Sequence, residues 1–317
     1  MVATEKVRQN IMENIYDLAI LGAGPAGICA AIYATRAKLN TIWLDKKFVQ
    51  GGQIVDTYEV DNYPGLPGIT GLDLGEAMAG HAEKLGMKPQ REPVRSIETE
   101  HGIKVIRTKK NEYRARAVII ACGATHRHLG IPGEEELSGM GVSYCATCDA
   151  AFFQDRTVVV VGGGNVAVED AILLSRTCKK VYLVHRRDEL RAEKILQESL
   201  FACKNVELIW DSIPLSIEGT DKVEALKIRN KKTQEESFIE TDGVFIAVGI
   251  VPGTEKFKDL VKLDEAGYIV AGEDGITSEP GIFAAGDIRT KNLRQVVTAV
   301  ADGANAVASA QRYLLDK

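Results

Sequence analysis

Two stretches of this chain show the same change of hydrophobic rhythm. Tyr16–Leu21 is a short apolar run that ends in Gly22-Ala23-Gly24-Pro25-Ala26-Gly27 and passes into small residues. Thr157–Val161 does the same, ending in Gly162-Gly163-Gly164-Asn165-Val166-Ala167. A short continuous apolar run between turn signals predicts a buried strand, and the longer small-residue segment after it predicts a helix. A second apolar strand follows each helix at the same distance from the first glycine. It is Thr41–Leu44, ending at Asp45, in the first copy and Val181–Val184, ending at His185, in the second. The pattern therefore predicts two βαβ units.

Shorter runs fill in around them. Val94–Glu98, Lys104–Thr108 and Glu112–Arg114 read as an antiparallel ribbon that leads into a buried strand, Ala117–Ala121. Ile213–Gly219, Val223–Arg229 and Glu236–Glu240 repeat the ribbon, and Gly243–Val248 repeats the buried strand. Both buried strands end in small-residue turns, Cys122-Gly123-Ala124 and Gly249. Residues 255–317 have no counterpart in the second copy. They hold a strand at Gly281–Ala284, the pair Gly286-Asp287 and a long small-residue helix from about Val296 to Leu315. The simplest assembly returns them to the first domain. The expected fold is α/β, with two Rossmann-like dinucleotide-binding domains in three-layer ββα form and the second inserted in the first. The expected boundaries are 1–127 with 255–317, and 128–254.

Composition narrows the function. The chain has 317 residues, a prior for two domains. The net charge of −5 is mild and evenly spread, which argues against nucleic acid as a partner. Leu18–Thr35 is uncharged and just reaches spanning length, but Gly22, Gly24, Pro25 and Gly27 break it into strand, turn and helix. No apolar leader is visible in the polar residues 1–14, which read as an extension. No membrane role is expected. Of six cysteines only Cys145 and Cys148 lie close together, so a disulfide scaffold is excluded and an intracellular setting is favoured. The 30 glycines are an excess that the two glycine-rich turns help to explain.

Each turn follows a strand and opens a helix, the context a dinucleotide fingerprint requires. The first glycine makes the tight turn, the second lets backbone N–H groups approach a pyrophosphate, and the third position, Gly27 or Ala167, allows close helix–strand packing. Asp45 stands where a carboxylate bonds the hydroxyls of an unphosphorylated ribose. His185 takes that place in the second copy and is followed by Arg186, Arg187 and Arg191, whose guanidinium groups suit a 2′-phosphate. Asp188 is read as the cap of the next helix, with Arg191 in its first turn. The first site is thus expected to take FAD and the second NADPH. Cys145-Ala146-Thr147-Cys148 admits a zinc half-site or a redox dithiol. No second CxxC or HxxxH completes a set of four ligands, so the dithiol reading is favoured and no metal is expected. Asp149, directly after it, is placed to move a proton for a departing thiolate.

With these residues in hand, the chain closely resembles the low-molecular-weight bacterial thioredoxin reductases, class II of the pyridine nucleotide-disulfide oxidoreductases. The likeness runs from about Tyr16 to Leu315. It rests on the motifs above, on Gly51-Gly52-Gln53, Asn62-Tyr63-Pro64-Gly65 and Arg191-Ala192-Glu193-Lys194, and on Phe283-Ala284-Ala285-Gly286-Asp287 with Arg294-Gln295. The resemblance implies a flavin surrounded by Gly51, Gly52, Gln53, Asn62, Asp287, Arg294, Gln295 and Val296. Gly22, Gly24, Pro25, Ala26, Asp45, Val94, Ala121, Gly123 and Gly286 join them as cofactor-binding residues. For NADPH it implies Gly162, Gly164, Asn165, Val166, His185, Arg186, Arg187 and Arg191. Cys148 is implied as the thiol facing the flavin and Cys145 as the one that attacks the partner. The implied protein is a cytoplasmic homodimer that reduces thioredoxin. Because dithiol and NADPH site lie in one inserted segment, a rotation of that segment, for which the family is known, is expected between half-reactions.

Two positions and one segment depart from the family pattern. Cys122 stands where Thr is usual, Val166 replaces a small hydroxyl residue, and Ile250–Thr254 lacks the usual His and Asn. The alternative reading is a related reductase serving another thioredoxin-like or glutaredoxin-like partner. A ferredoxin-driven flavoprotein would leave the arginines without a purpose, and a ferredoxin–NADP reductase would not need the two cysteines. A peroxiredoxin-linked reductase would usually add an N-terminal redox domain. An NADPH-binding redox sensor without turnover is a rival from another class.

Overall fold

The computed structural model describes residues 15–47, 49–57, 60 and 62–316. The extension read over residues 1–14 lies outside the described residues. Two compact units result. One holds the described residues of Met1–Tyr58 with Tyr63–Thr125 and Val251–Lys317, the other those of Glu59–Asn62 with His126–Ile250.

In the first unit β1 (Ile15–Leu21) enters helix α1 (Pro25–Arg36) through the glycine turn, and β2 (Thr41–Asp45) returns parallel beside β1. Helix α2 (Gly71–Lys84) starts at Thr70, whose hydroxyl accepts the Asp73 N–H and caps one of the free donors of its first turn. Then come β3 (Gln90–Arg91), β4 (Val94–Glu100), β5 (Ile103–Thr108) and β6 (Glu112–Ile120). β6 is one strand where the sequence predicts two. Its first half pairs antiparallel with β5 while Arg114–Ile120 runs parallel to β1, so Arg116 is carried through without a break.

Chain crosses to the second unit at β7 (Ala124–His126). There β8 (Val142–Ser143) precedes α3 (Ala146–Asp149). A parallel unit follows: β9 (Thr157–Gly162), α4 (Asn165–Ser175), β10 (Lys180–Val184), α5 (Lys194–Phe201) and β11 (Val206–Ile209). β12 (Ser212–Glu218), β13 (Ala225–Asn230) and β14 (Glu236–Glu240) form the ribbon, and β15 (Gly243–Ala247) completes the sheet in the order β11-β10-β9-β15-β8. Here ribbon and buried strand stay separate. The Thr241 hydroxyl accepts the Gly243 N–H and Asp242 accepts the Thr157 N–H, which turns the chain. β16 (Ile250–Pro252) pairs with β7, so the two crossing segments form a two-stranded ribbon.

Back in the first unit, β17 (Ile282–Ala284) lies parallel to the second half of β6, giving a parallel order β3-β2-β1-β6-β17. Helix α6 (Val296–Leu315) buries Ala299, Gly303, Ala306 and Ala310. Its small residues let it meet α1 closely: a Cβ on Gly303 would stand 2.2 Å from the Ala26 carbonyl oxygen. The architecture expected from the sequence, two Rossmann-like α/β units with the second inserted, is what the chain forms. Among the described residues no helix is long and apolar enough to cross a bilayer.

Candidate functional site

The glycines of the first turn are not equivalent. Gly22 has φ +112°, and a Cβ there would lie 2.3 Å from the Ala121 carbonyl oxygen. On Gly27 a Cβ would lie 1.9 Å from the Gly22 carbonyl oxygen. Both are forced by the chain's own packing. Gly24 is not, since a Cβ would meet only Gly52 Cα at 3.8 Å. Gly24 is the N-cap of α1 with no side-chain cap, and Pro25 opens the helix. The first N–H groups of α1 therefore have no side-chain acceptor, which is the arrangement that receives an anionic group.

The second turn repeats the division. Gly162 is hemmed by Ala167 Cβ and the Ala247 carbonyl oxygen, both 2.5 Å from a built Cβ, and Gly163 by the His185 ring at 2.2 Å. Gly164, N-cap of α4, has nothing within 4 Å. In both units the glycine at the helix mouth is spare for the fold, and leaves backbone open to an approaching pyrophosphate.

Around the first turn, Asp45 ends β2, half-buried, and burial raises its carboxyl above the usual range against the backbone N–H groups of Lys46 and Lys47. Gly51 and Gly52 both have positive φ, and the Gly51 N–H donates to the Ala23 carbonyl. Gln53 donates to the Ala124 carbonyl. Ala121 donates its N–H to Leu21, and Gly123 has φ +68° in open space. Val94 is buried at the start of β4 with its carbonyl taken by Lys256 at 2.6 Å. Asn62 is exposed and groups with the inserted unit.

Gly286, at φ +79°, donates its N–H to Asp302 at 2.9 Å. Asp302 is buried and also receives Arg289 through two nitrogens and Lys291 at 2.9 Å. The sequence reading missed this anchor; an aspartate on the apolar face of a small-residue helix was the available signal. Beside it, Asp287 Oδ1 and Arg294 Nε are buried with no partner. Burial raises the Asp287 carboxyl, while Lys291 and Arg294 pull it down. The Arg294 guanidinium lies 4.0 Å from the Tyr268 ring centroid. Gln295 caps α6 and Val296 starts it. Two unpartnered buried polar atoms next to a helix mouth fit a polar, uncharged-to-anionic cofactor, as flavin recognition requires.

In the second unit Arg186, Arg187 and Arg191 are exposed, and the Arg191 N–H donates to the Gly163 carbonyl at 2.8 Å, tying the basic loop to the turn. His185 differs from its expected companions. It is 4% exposed, its ring fills the space under Gly163, its Nε2 is unpartnered, and burial lowers its pKa. The expected helix cap at Asp188 is corrected. Asp188 is exposed and pairs with Lys232 at 3.1 Å, and α5 begins only at Lys194. Asn165 is the reason: it accepts the Glu193 N–H at 3.0 Å and donates to the Glu193 carboxylate, holding residues 186–193 as a loop. Val166 is half exposed on the first turn of α4.

Cys145 and Cys148 form a disulfide with Cα atoms 5.3 Å apart. Cys145 is the N-cap of α3, and the Cys148 backbone N–H points at its Sγ from 3.2 Å. Burial raises the Asp149 carboxyl above the usual range, opposed by a hydrogen bond from the Ser143 hydroxyl at 2.6 Å. Ser143 was not singled out by the sequence reading. Cys122 is exposed, and its thiol reaches the Leu21 carbonyl at 3.5 Å.

Two glycine-turn nucleotide folds, one carrying a CxxC disulfide, define the class of nucleotide-binding disulfide oxidoreductases. Residues 16–303 match the model of the pyridine nucleotide-disulphide oxidoreductases, and the chain belongs to that family, in its thioredoxin reductase branch. It is 48% identical to the thioredoxin reductase of Peptoclostridium acidaminophilum over 96% of this chain and 98% of that protein. Its identity to the thioredoxin reductase of Listeria innocua is also 48%, over 95% of each. The crystal structure of thioredoxin reductase from Streptococcus pyogenes matches with a TM-score of 0.92 at 46% identity, covering 96% of this chain and 99% of that one. These relatives bear out the resemblance seen in the motifs.

Proposed function

We propose that this chain is an NADPH-dependent thioredoxin-disulfide reductase, with FAD in the first unit and NADPH in the inserted one. The observation that carries the reading is the Cys145–Cys148 disulfide in the same unit as a glycine turn fringed by three arginines. FAD, when bound, supplies the chemistry that takes a hydride from NADPH and delivers two electrons to a disulfide. The chain's own residues do the rest. The turn at Gly24 and the mouth of α1 receive the FAD pyrophosphate, Asp45 its adenosine ribose, and Asp287 its ribityl side. Gly164 and α4 receive the NADPH pyrophosphate, and Arg186, Arg187 and Arg191 its 2′-phosphate. His185 shapes the turn from below.

After reduction, Cys145 thiolate attacks the thioredoxin disulfide, forming a mixed disulfide and releasing one thioredoxin thiolate. The Cys148 N–H aimed at its sulfur favours the charged form. Cys148 thiolate then attacks the Cys145 sulfur, the second thioredoxin thiolate leaves, and the Cys145–Cys148 disulfide re-forms. Asp149 holds and returns the proton that the departing thiolate takes up. Dithiol and nicotinamide site belong to one inserted unit, so a rotation about the two crossing segments lets each use the flavin in turn. The working form is a cytoplasmic homodimer.

The test is NADPH oxidation by the FAD-loaded protein with and without oxidised thioredoxin. Thioredoxin should be reduced, and Cys145→Ser or Cys148→Ser should each abolish that reduction while leaving flavin reduction by NADPH intact. Cys148→Ser should accumulate a mixed disulfide with thioredoxin through Cys145. Absence of thioredoxin reduction, or a stable adduct with Cys145→Ser instead, would overturn the scheme.

A further inference from the structure

β8 is a strand of two residues at the edge of the second sheet, where it pairs with Val244 and Phe245 of β15. Its last residue, Ser143, is 5% exposed and comes two positions before the dithiol. One hydroxyl here meets three groups. It accepts the Cys145 backbone N–H at 3.1 Å, lies 2.6 Å from Asp149 Oδ2, and lies 3.4 Å from the Cys145 carbonyl oxygen. A hydroxyl has a single proton to give. The shorter bond to a carboxylate is the stronger and takes it. The hydroxyl thus forms a bridge from the Cys145 main chain through Ser143 Oγ to Asp149.

The bridge matters because α3 is a single turn. With the disulfide closed, Cys145 and Cys148 are tied covalently. Once it opens, that tie is gone. Asp149 is then held to Cys145 by its own N–H to the Cys145 carbonyl at 3.1 Å and by Ser143. Among the described residues only Ser143 hydrogen-bonds the carboxylate itself.

We propose that Ser143 is a positioning residue for disulfide exchange: its hydroxyl holds the Asp149 carboxylate in a fixed relation to the Cys145 main chain while the disulfide is open. The proposal rests on the reading of Asp149 as the proton carrier. It adds the group that keeps that carrier in place and sets how easily it ionises. Burial pushes the Asp149 carboxyl up, and the Ser143 hydroxyl pulls it back. The same turn carries Cys145 and Cys148, and α4, which packs against it, carries the ionisable groups Glu169 and Asp170. None of them drives the Asp149 shift. Without the hydroxyl, burial acts unopposed and the carboxylate loses a charge-assisted bond.

The experiment is single-turnover reoxidation of the fully reduced holoenzyme by oxidised thioredoxin, followed across pH. Asp149→Asn identifies the limb of the profile that Asp149 produces. Ser143→Ala should move that limb up by about one pH unit, the size expected for one hydrogen bond to a charged group. The isosteric pair Ser143→Thr and Ser143→Val separates hydroxyl from volume: Thr should keep the limb in place and Val should move it. In the Asp149→Asn background Ser143→Ala should have no further effect on the profile. An unmoved limb in both Ser143→Ala and Ser143→Val overturns the proposal while leaving Asp149 in its role. A profile indifferent to Asp149→Asn overturns the reading of Asp149, and Ser143 with it.

Discussion

Gly24 and Gly27 are three residues apart and require glycine for opposite reasons. At Gly27 an added Cβ strikes the Gly22 carbonyl oxygen, and helix α1 cannot keep its distance from β1. At Gly24 the Cβ clears every atom of the chain. Gly27→Ala should therefore lower the unfolding midpoint of the FAD-free protein. Gly24→Ala should leave that midpoint near normal and weaken FAD retention, read by flavin fluorescence after dialysis. Loss of both properties in Gly24→Ala would place that glycine with the structural ones. The arginines are proposed to act on the other cofactor. If they bind the 2′-phosphate as proposed, removing Arg186 and Arg187 deletes bonds worth about 1.5–3 kcal/mol each, roughly ten- to a hundredfold in affinity per residue. Titration of the double Ala variant should show NADPH binding weakened far more than NADH binding. An equal loss for both would remove the 2′-phosphate from the assignment. His185 differs from the arginines that follow it. It occupies the place of Asp45, yet its ring is a buried filler whose slot exists because residue 163 has no side chain.

Elements with their own punctuation were legible in the sequence, and elements imposed by neighbours were not. β1, α1, β9 and α4 announce themselves by an apolar run, a glycine turn and small residues, and α6 by its length. β3 and β8 have two residues each and no pattern; they are strands because a formed sheet edge pairs with them. β11 was passed over as well, since its four residues become a strand by pairing with β10. The start of α5 was misplaced because its limit is set by Asn165, distant in sequence. Helix α4 also carries a cost that its apolar pattern hides. Asp170 lies on it, with its carboxyl raised by burial, and further by Glu169, to about 7. The folded state thus holds a proton that the unfolded chain gives up near the ordinary aspartate value, so stability falls as pH rises between the two. Asp170→Asn should match the parent below about pH 4. Its advantage should grow as pH rises and level off above about 7, seen as a difference in denaturant midpoint across pH. A constant difference at all pH values would mean that the charge is not its source.

At the scale of the whole molecule, the order of motifs makes the strongest demand. Gly162–Ala167 and Cys145–Cys148 lie on one inserted unit, and the motifs proposed to hold the flavin, Asn62 apart, lie on the other. On the proposed assignment one flavin serves both, and the inserted unit then has to change its position during turnover. A covalent crosslink between the units should slow thioredoxin reduction by orders of magnitude. It should leave either flavin reduction by NADPH or exchange between flavin and dithiol close to its normal rate, measured by stopped-flow absorbance. Full turnover in the crosslinked enzyme would show that a single arrangement serves both steps.

Insertion has a further consequence, in the order of manufacture. On a ribosome the first unit is begun and then left open. The far side of the second half of β6 has no partner until β17 is made, and the small-residue face of α1 has no cover until α6 follows. Meanwhile β8–β15 are complete once the chain has passed Ala247. The unit that starts second in the sequence is the first that can close. The first unit must pass through synthesis as an unfinished sheet, with the finished inserted unit tethered to its middle.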